Sequence, residues 1–332
     1  MQLRNGNLQH TLEWLLEPEN PPVRYRALTE LLGKSESDQE VQAARQANME
    51  NGPVARILAK QDPRGWWGKP EDYYERSKYK GTVWNMILLA EFGANPEDER
   101  IQKASDFILD WSQDASSGGF AYLPVLDGGG DHNKVIPCLT GNMLWSLLRF
   151  SRFDEPKVQH AIQWVTTYQR FDDKEGPAPT GWPYEIREKC WGRHTCHMGV
   201  VKALKALAEI PVEKRTSEVN QTIRAGAEYI LRHHIYRKSH NLVKVGLPQW
   251  QQLGFPHFWG SDALEILDIL THLGYRDDRM QEALDLVKSK QDASGRWKME
   301  SSWNGRMLVR FEEEGKDSKW VTLKALKVLQ YT

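Results

Sequence analysis

Four stretches of the chain carry apolar residues at three- and four-residue spacing with charges between them: ERIQKASDFILDW (99–111), PKVQHAIQWVTTY (156–168), SEVNQTIRAGAEYIL (217–231) and DRMQEALDLVKSK (278–290). That is the amphipathic helix period, one face for a core and one for water. Strings of a second kind alternate with them: VRYRALTELLG (23–33), GTVWNMILLAEFG (81–93), CLTGNMLWSLLRFS (138–151), HTCHMGVVKALKALAEI (194–210), WGSDALEILDILTHLG (259–274) and WVTLKALKVLQ (320–330). These are apolar around more of their circumference, as expected of helices packed on several sides. Gly33, Gly93 and Gly274 end three of them and fit the left-handed position that closes a helix.

Between the two kinds lies a recurring loop. It reads KQDPRGWWG around Gln61, SQDASSGGF around Gln113, YQRFDDKEGPAPTGW around Gln169 and KQDASGRW around Gln291. Each copy is a Gln at the end of a helix, then Asp, a Gly turn and an aromatic residue. Successive copies are 52, 56 and 122 residues apart, the last gap being about two units. In the middle of that gap the loop is replaced by a longer segment, Ile235–His257. A period of about 50–60 residues marks a stacked or closed array of units. The first outer helix is broken across Ser37–Lys60, and Leu8–Glu17 supplies a sixth. The pattern predicts an all-α protein: an α/α toroid of about six inner and six outer helices, built by residues 1–332 as one domain. A right-handed solenoid that stays open is the alternative.

Composition narrows the function classes. The formal net charge is −1, which gives no electrostatic case for nucleic acid. No apolar run approaches a membrane span. The start, MQLRNGNLQH, lacks the basic and apolar regions of a signal peptide, and three cysteines point to a reducing compartment. A cytoplasmic protein with free thiols is expected. Fourteen tryptophans divide by position. Trp67, Trp182 and Trp297 sit in the loops and are expected to brace neighbouring helices, with Gln61, Gln169 and Gln291 bonding to helix ends. Trp84, Trp145, Trp259 and Trp320 stand on inner helices or their starts and are candidates to line a cavity or fill the core.

A Gln, a Gly turn and a Trp after an outer helix resembles the repeat of the terpenoid cyclase and protein prenyltransferase superfamily, the squalene cyclase-like repeat. QDPRGWW and QDASGRW carry the resemblance, which extends from roughly Gln61 to Thr332. It implies a toroid with a central apolar cavity for an isoprenoid or other apolar molecule. Squalene and hopene cyclases carry an Asp-x-Asp-Asp acid motif that this sequence lacks. Prenyltransferase β-subunits work with a partner α-subunit. They hold zinc with Asp-x-Cys at one inner helix and a His at a later one, in a string resembling His-Thr-Cys. Here Cys138 begins one inner helix and His194-Thr195-Cys196 the next, while Ile136 stands where the Asp belongs and Asp131 is the acid in the preceding loop. At the level of the site alone, CLTG (138–141) followed by CHMG (196–199) also resembles the zinc ligands of lanthionine cyclases.

Both resemblances meet at one place. Cys138, Cys190 and Cys196 fall at the starts of two successive inner helices, with His194 and His197 beside them. Thiolate and imidazole are preferred zinc ligands, and three of them leave an open catalytic position. A helix N-terminus lowers a thiol's pKa. The preferred set is Cys138, Cys196 and His197, with His194 or Cys190 as alternates; buried packing of these residues is the competing reading. Asp262 and Glu265 begin the fifth inner helix as candidates for acid–base work beside His194, with Asp262 also a natural N-cap. GLPQWQQLGFPHFW (246–259) is expected over the cavity mouth. The functional expectation is alkyl or prenyl transfer to a thiol on zinc. The alternative is a non-catalytic scaffold for an apolar ligand or peptide.

Overall fold

The structure is a computed structural model that describes residues 5–187, 190 and 195–331. Thirteen α-helices lie among the described residues. In chain order they are α1 (Asn5–Leu15), α2 (Pro21–Arg26), α3 (Gln39–Glu50), α4 (Gly52–Leu58), α5 (Thr82–Glu91), α6 (Glu99–Trp111) and α7 (Pro137–Arg149). Then follow α8 (Pro156–Tyr168), α9 (His197–Ala208), α10 (Ser217–Arg232), α11 (Ala263–His272), α12 (Gln281–Ser289) and α13 (Lys319–Gln330). A π-helical turn, Ala27–Leu31, continues α2.

Sequence and structure agree closely where the periodicity is strong. The outer string at 99–111 is α6 and that at 156–168 is α8, residue for residue. The expected break in the first outer helix falls between α3 and α4, at Asn51. Helix starts follow the side chains that can satisfy free backbone N–H groups. Asp38, Asp98, Thr216, Asp262 and Ser318 each accept one at an N-cap. The all-α expectation needs one correction. Inside the segment that replaces the fourth loop, β1 (Arg237–Lys238) and β2 (Asn241–Val245) pair antiparallel. Its β-branched valines favour extended chain, and β2 stands mostly in solvent, so no core periodicity announced it.

Two burial classes separate the helices. All ten residues of α5 are buried, whereas α6 buries the stripe Ile101, Ala104, Ser105, Phe107, Ile108 and Leu109. The buried class packs in sequence: α5 on α7, α7 on α9, α9 on α11, α11 on α13, and α13 on the π-helical turn. Arg26, just before that turn, donates to the backbone carbonyls of Ala90 and Glu91 at the end of α5. Each half-buried helix lies against a buried neighbour: α4 on α5, α6 on α5, α8 on α7, α10 on α9, α12 on α11 and α1 on α13.

The recurring loop ties these helices together in one repeated way. Gln61 Nε2 donates to Gly65 O at 3.0 Å and to Arg100 O, in the first turn of α6, at 2.8 Å. Gln113 does the same to Gly118 O and to Lys157 O in the first turn of α8. The loop glycine then presses on that next helix. A Cβ on Gly65 would stand 2.4 Å from Lys103 O, and one on Gly118 2.5 Å from His160 O. Both glycines also have positive φ, +112° and +83°. The aromatic residue turns inward: Trp67 donates its indole N–H to Ile57 O, and Trp297 to Val287 O. Its backbone N–H, or that of Phe120, goes to a threonine on the following buried helix: Thr82, Thr140 or Thr322. The third loop departs from this. Gln169 donates to Arg170 O, and Trp182 stacks on His132 at 4.2 Å instead of bracing its own helix.

Gly65→Ala therefore meets a fixed backbone as well as an unfavourable φ. It is expected to cost at least about 2 kcal/mol in urea unfolding. Gly176→Ala is the control, because φ there is +102° with nothing within 4 Å of the added carbon, so it carries the backbone term alone. Equal losses in the two variants would remove the argument from close approach.

Candidate functional site

The starts of α9 and α11 frame a pocket of about 280 Å³. Its walls are aromatic: Trp250, Phe255, Phe258, Trp259 and Trp303, with Met198 at one side. Most of these come from the Pro-rich segment expected over the mouth. That segment is pinned from below. Asn142 of α7 donates to Phe258 O at 2.9 Å, and the Phe255 ring stacks on Trp320 with centroids 4.4 Å apart. One buried polar pair faces the same pocket, His257 and Asp262, with Nε2 to Oδ2 at 3.1 Å. Asp262 is heavily committed. Oδ1 accepts the Glu265 N–H at 2.8 Å as the N-cap of α11, and Oδ2 also accepts the Gly254 N–H at 2.8 Å. Its carboxylate thus joins the pocket segment to the helix.

The four tryptophans expected near a cavity go to three places. Trp259, 40% exposed, lines the aromatic pocket. Trp84 is core, stacked on Tyr74 and edge-on to Phe258. Trp145 and Trp320 line a second, charged cavity, which runs from Trp320 and Glu265 in the first turns of α13 and α11 to the far ends of the buried helices.

Cys138, Cys190 and Cys196 are close enough to raise one another's pKa, so the starts of α7 and α9 do bring the thiols together. Burial dominates the helix-end effect that was expected to activate them. It pushes the Cys138 and Cys196 thiols up, and that of Cys190 to about 11. The N–H groups of Met198 and Gly199 only partly offset this at Cys196. His197 does not join them. Its ring stacks on Trp250 at 4.4 Å, beside His233 and Tyr229 of α10, and burial lowers its pKa to about 3. Both its ring nitrogens are buried without a hydrogen-bond partner among the described residues. Asp131 caps its own short turn through Asn133. His194 lies outside the described residues. Among those described, no group of three or more His, Cys, Asp or Glu could hold a metal ion. The matching glycines that carried the resemblance have a packing reason. A Cβ on Gly141 would stand 2.5 Å from the Lys202 backbone, and one on Gly199 2.9 Å from Pro137.

The interior between the buried helices is charged where an apolar cavity was expected. Lys202 Nζ binds both oxygens of Glu265, at 2.9 and 2.7 Å, with both side chains almost fully buried. Lys205 Nζ bridges Glu265 at 3.0 Å and Glu91 at 2.5 Å, and lies 3.9 Å from the Trp145 ring centre. Lys324 adds a 3.2 Å contact to Glu91. Nearby, Glu30 gathers Arg26, Arg149 and Lys327, and Lys327 also meets Asp268 at 2.8 Å. All of these groups but Lys202 border a cavity of about 320 Å³. Glu265, a candidate acid from the sequence, is held well below the usual carboxylate range: burial pushes it up, but Lys202 and Lys205 outweigh that. The network escaped the sequence reading although it left a trace. KALK occurs twice, at 202–205 and 324–327, placing two lysines one turn apart on otherwise apolar helices.

No family model matches the chain, and no curated protein matches it in sequence. Among solved structures it is similar to the type II terpene cyclase MstE from Scytonema in its apo form, with 15% identity, a TM-score of 0.43, and 98% of this chain and 96% of that chain covered. A variant of that cyclase in complex with geranylgeranyl dihydroxybenzoate, its substrate, gives 15% identity and a TM-score of 0.42 over 98% and 95% of the two chains. Another, in complex with merosterolic acid A, its product, gives 13% and 0.36 over 98% of each. At these values the likeness assigns no residue a role. No helix among the described residues is long and apolar enough to cross a membrane.

The charge network predicts acid lability. Burial pushes Glu30 up, but Lys327 and Arg26 outweigh it and hold the carboxyl at about 2; Glu91 and Glu265 are lowered in the same way. A carboxyl whose folded pKa is depressed contributes stability that is complete above its unfolded value and lost as pH falls toward the folded one. The window here runs from about 4.5 down to about 2. The thermal midpoint should decline from about pH 6.5, where the buried His197 resists protonation, and fall more steeply below about pH 4.5 as the carboxylates lose their charge, as followed by far-ultraviolet circular dichroism. A midpoint unchanged at pH 3 would show that the network contributes nothing.

Proposed function

We propose that the protein is a terpenoid cyclase-like α/α toroid that binds a small apolar molecule of isoprenoid type in the aromatic pocket at the helix starts. The order of neighbours supports the toroid, because the buried helices pack in chain order and α13 returns to the turn after α2. The pocket carries the functional reading. Five aromatic side chains and Met198 surround about 280 Å³, with His257 and Asp262 as the buried polar pair. Apolar walls with a few placed polar groups are the usual form of a small-molecule site. That volume lies near the low end of the usual range and suits a short chain. The chemistry favours binding over turnover. Asp262 is held by two N–H groups and an imidazole, Glu265 is ion-paired, and burial keeps the thiols protonated.

Titration with geraniol and farnesol, followed by tryptophan fluorescence, tests this. Saturable quenching is expected for at least one, since Trp250, Trp259 and Trp303 all face the pocket. Trp303→Ala should weaken that binding by about tenfold, as loss of a large buried aromatic contact implies. Titration without saturation by either alcohol would reject the pocket as an isoprenoid site.

Zinc-dependent prenyl or alkyl transfer to a thiol is a second reading, supported by the gathering of Cys138, Cys190 and Cys196. Elemental analysis of wild type beside Cys138→Ser, Cys196→Ser and His197→Ala decides it. The geometry leads to zinc content that does not depend on His197. One equivalent of zinc lost in all three variants would restore the ligand set expected from sequence.

A further inference from the structure

The charged cavity receives a residue from the closing turn or cap of every buried helical element: Glu30, Glu91, Arg149, Glu209, His272 and Tyr331. Six helix C-terminal ends therefore point at one volume. Each such end carries about half a negative charge, so together they contribute about three. The side chains around them nearly balance. The cations are Arg26, Arg149, Lys202, Lys205, Arg215, which donates to the Ala208 and Ile210 carbonyls, Lys324 and Lys327. The anions are Glu30, Glu91, Glu209, Glu265 and Asp268. Side chains alone leave two positive charges in excess; with the helix ends the balance swings to about one negative.

The deficit is felt most at two carboxylates on the cavity wall. Among the described residues Glu209 meets a single cation within ion-pair distance, Arg149 at 3.2 Å, and that arginine is shared with Glu30. Its other oxygen accepts the Trp145 indole N–H at 3.0 Å. Burial pushes the Glu209 carboxyl up, with His272 opposing, as befits a carboxylate short of positive charge. Asp268 has Lys327, which it too shares with Glu30. Trp145, Trp320 and Tyr331 offer ring surface to the same volume. Lys205 over Trp145 shows that the wall already holds one ammonium by its ring face. A second cavity of about 440 Å³ shares Arg26, Glu30, Arg149 and Glu209 with the first, so the space continues past Glu209 toward Tyr25 and Glu36.

We propose that this cavity binds a small aliphatic polycation of the diamine or polyamine class, its ammonium groups on Glu209 and Asp268 and its methylene chain against the Trp145 and Trp320 rings. Such a molecule supplies the positive charge that the helix ends leave uncompensated.

Isothermal titration calorimetry with putrescine and spermidine, and with glutarate as the anionic control, tests the assignment on the intact chain. At least one amine should bind saturably and glutarate should not. Glu209→Gln keeps the side-chain shape and an oxygen for Trp145, and should weaken amine binding by about tenfold or more, the loss of one charge-assisted contact. Asp268→Asn should act the same way and serves if the first variant does not fold. Farnesol binding at the other end of the helices should stay unchanged in both. Failure of both amines to bind, equal binding of glutarate, or affinity that survives both substitutions would overturn the proposal.

Discussion

The fold depends on the ion pairs at its centre, because they are the contacts that a small rotation of a buried helix would destroy. Apolar side chains tolerate such a rotation by repacking; a lysine sealed against two carboxylates does not. Lys202 and Lys205 of α9 reach Glu265 of α11, Lys205 also reaches Glu91 of α5, and Lys324 of α13 closes on the same Glu91. Four helices thus share one set of charges. Taking those charges out of water costs several kcal/mol per ion, which attraction recovers only when geometry is good. Apolar residues of equal size would serve stability as well. What the ions add is register: each buried helix has one rotation at which its lysines and glutamates find partners.

The outer helices are placed by a different device, weaker in each contact and repeated. A glutamine at the end of one outer helix bonds to the first turn of the next, and a glycine lets the two backbones touch. The contact is mainly backbone to backbone, so the intervening residues are free to vary, and they do: PRGWW, ASSGGF and ASGRW all make the turn. The third loop lacks the second glutamine bond and instead spends its tryptophan on His132. It precedes the stretch where the thiols gather, so the repeat is broken where the chain does something other than hold helices together.

Legibility in the sequence followed the physics of each feature. Helices α6 and α8 were readable to the residue because one face meets water, and the alternation of solvent and core writes a period of 3.6. The loop brace was readable in part. Gln61 and Gly65 stood out, but Thr82, Thr140 and Thr322 did not, since a threonine early in a helix is ordinary until its partner is seen. The hairpin at 237–245 was hidden because most of its strand residues stand in solvent, with Val245 at the end of β2 packed on the core. The site was least legible. Cys138 and Cys196 do come together, but their neighbour His197 turns to Trp250, a residue 53 positions along the chain that no spacing rule connects to it. KALK could have been found: a lysine repeated one turn apart within an apolar helix must either leave the core or meet an acid there. The acids were present at the same depth in GTVWNMILLAEFG and WGSDALEILDILTHLG.

The two ends of the buried helices differ because a helix is polar along its axis. At the starts, N–H groups need acceptors, and short side chains supply them: Asp262 and Ser318 cap α11 and α13, and the Cys196 sulfur draws on Met198 and Gly199. Once capped, these ends can be surrounded by aromatic rings at little cost, and the pocket at 247–262 is built there. At the other ends, carbonyls crowd together with their negative poles inward, which no apolar lining can satisfy. Lysine and arginine are drawn in, acids follow to pair with them, and a cavity of about 320 Å³ remains among the fixed charges. Parallel packing of the buried helices therefore sorts the molecule into an apolar end and an ionic end before any ligand is considered. The two binding proposals rest on different cavities, which is why they can fail independently.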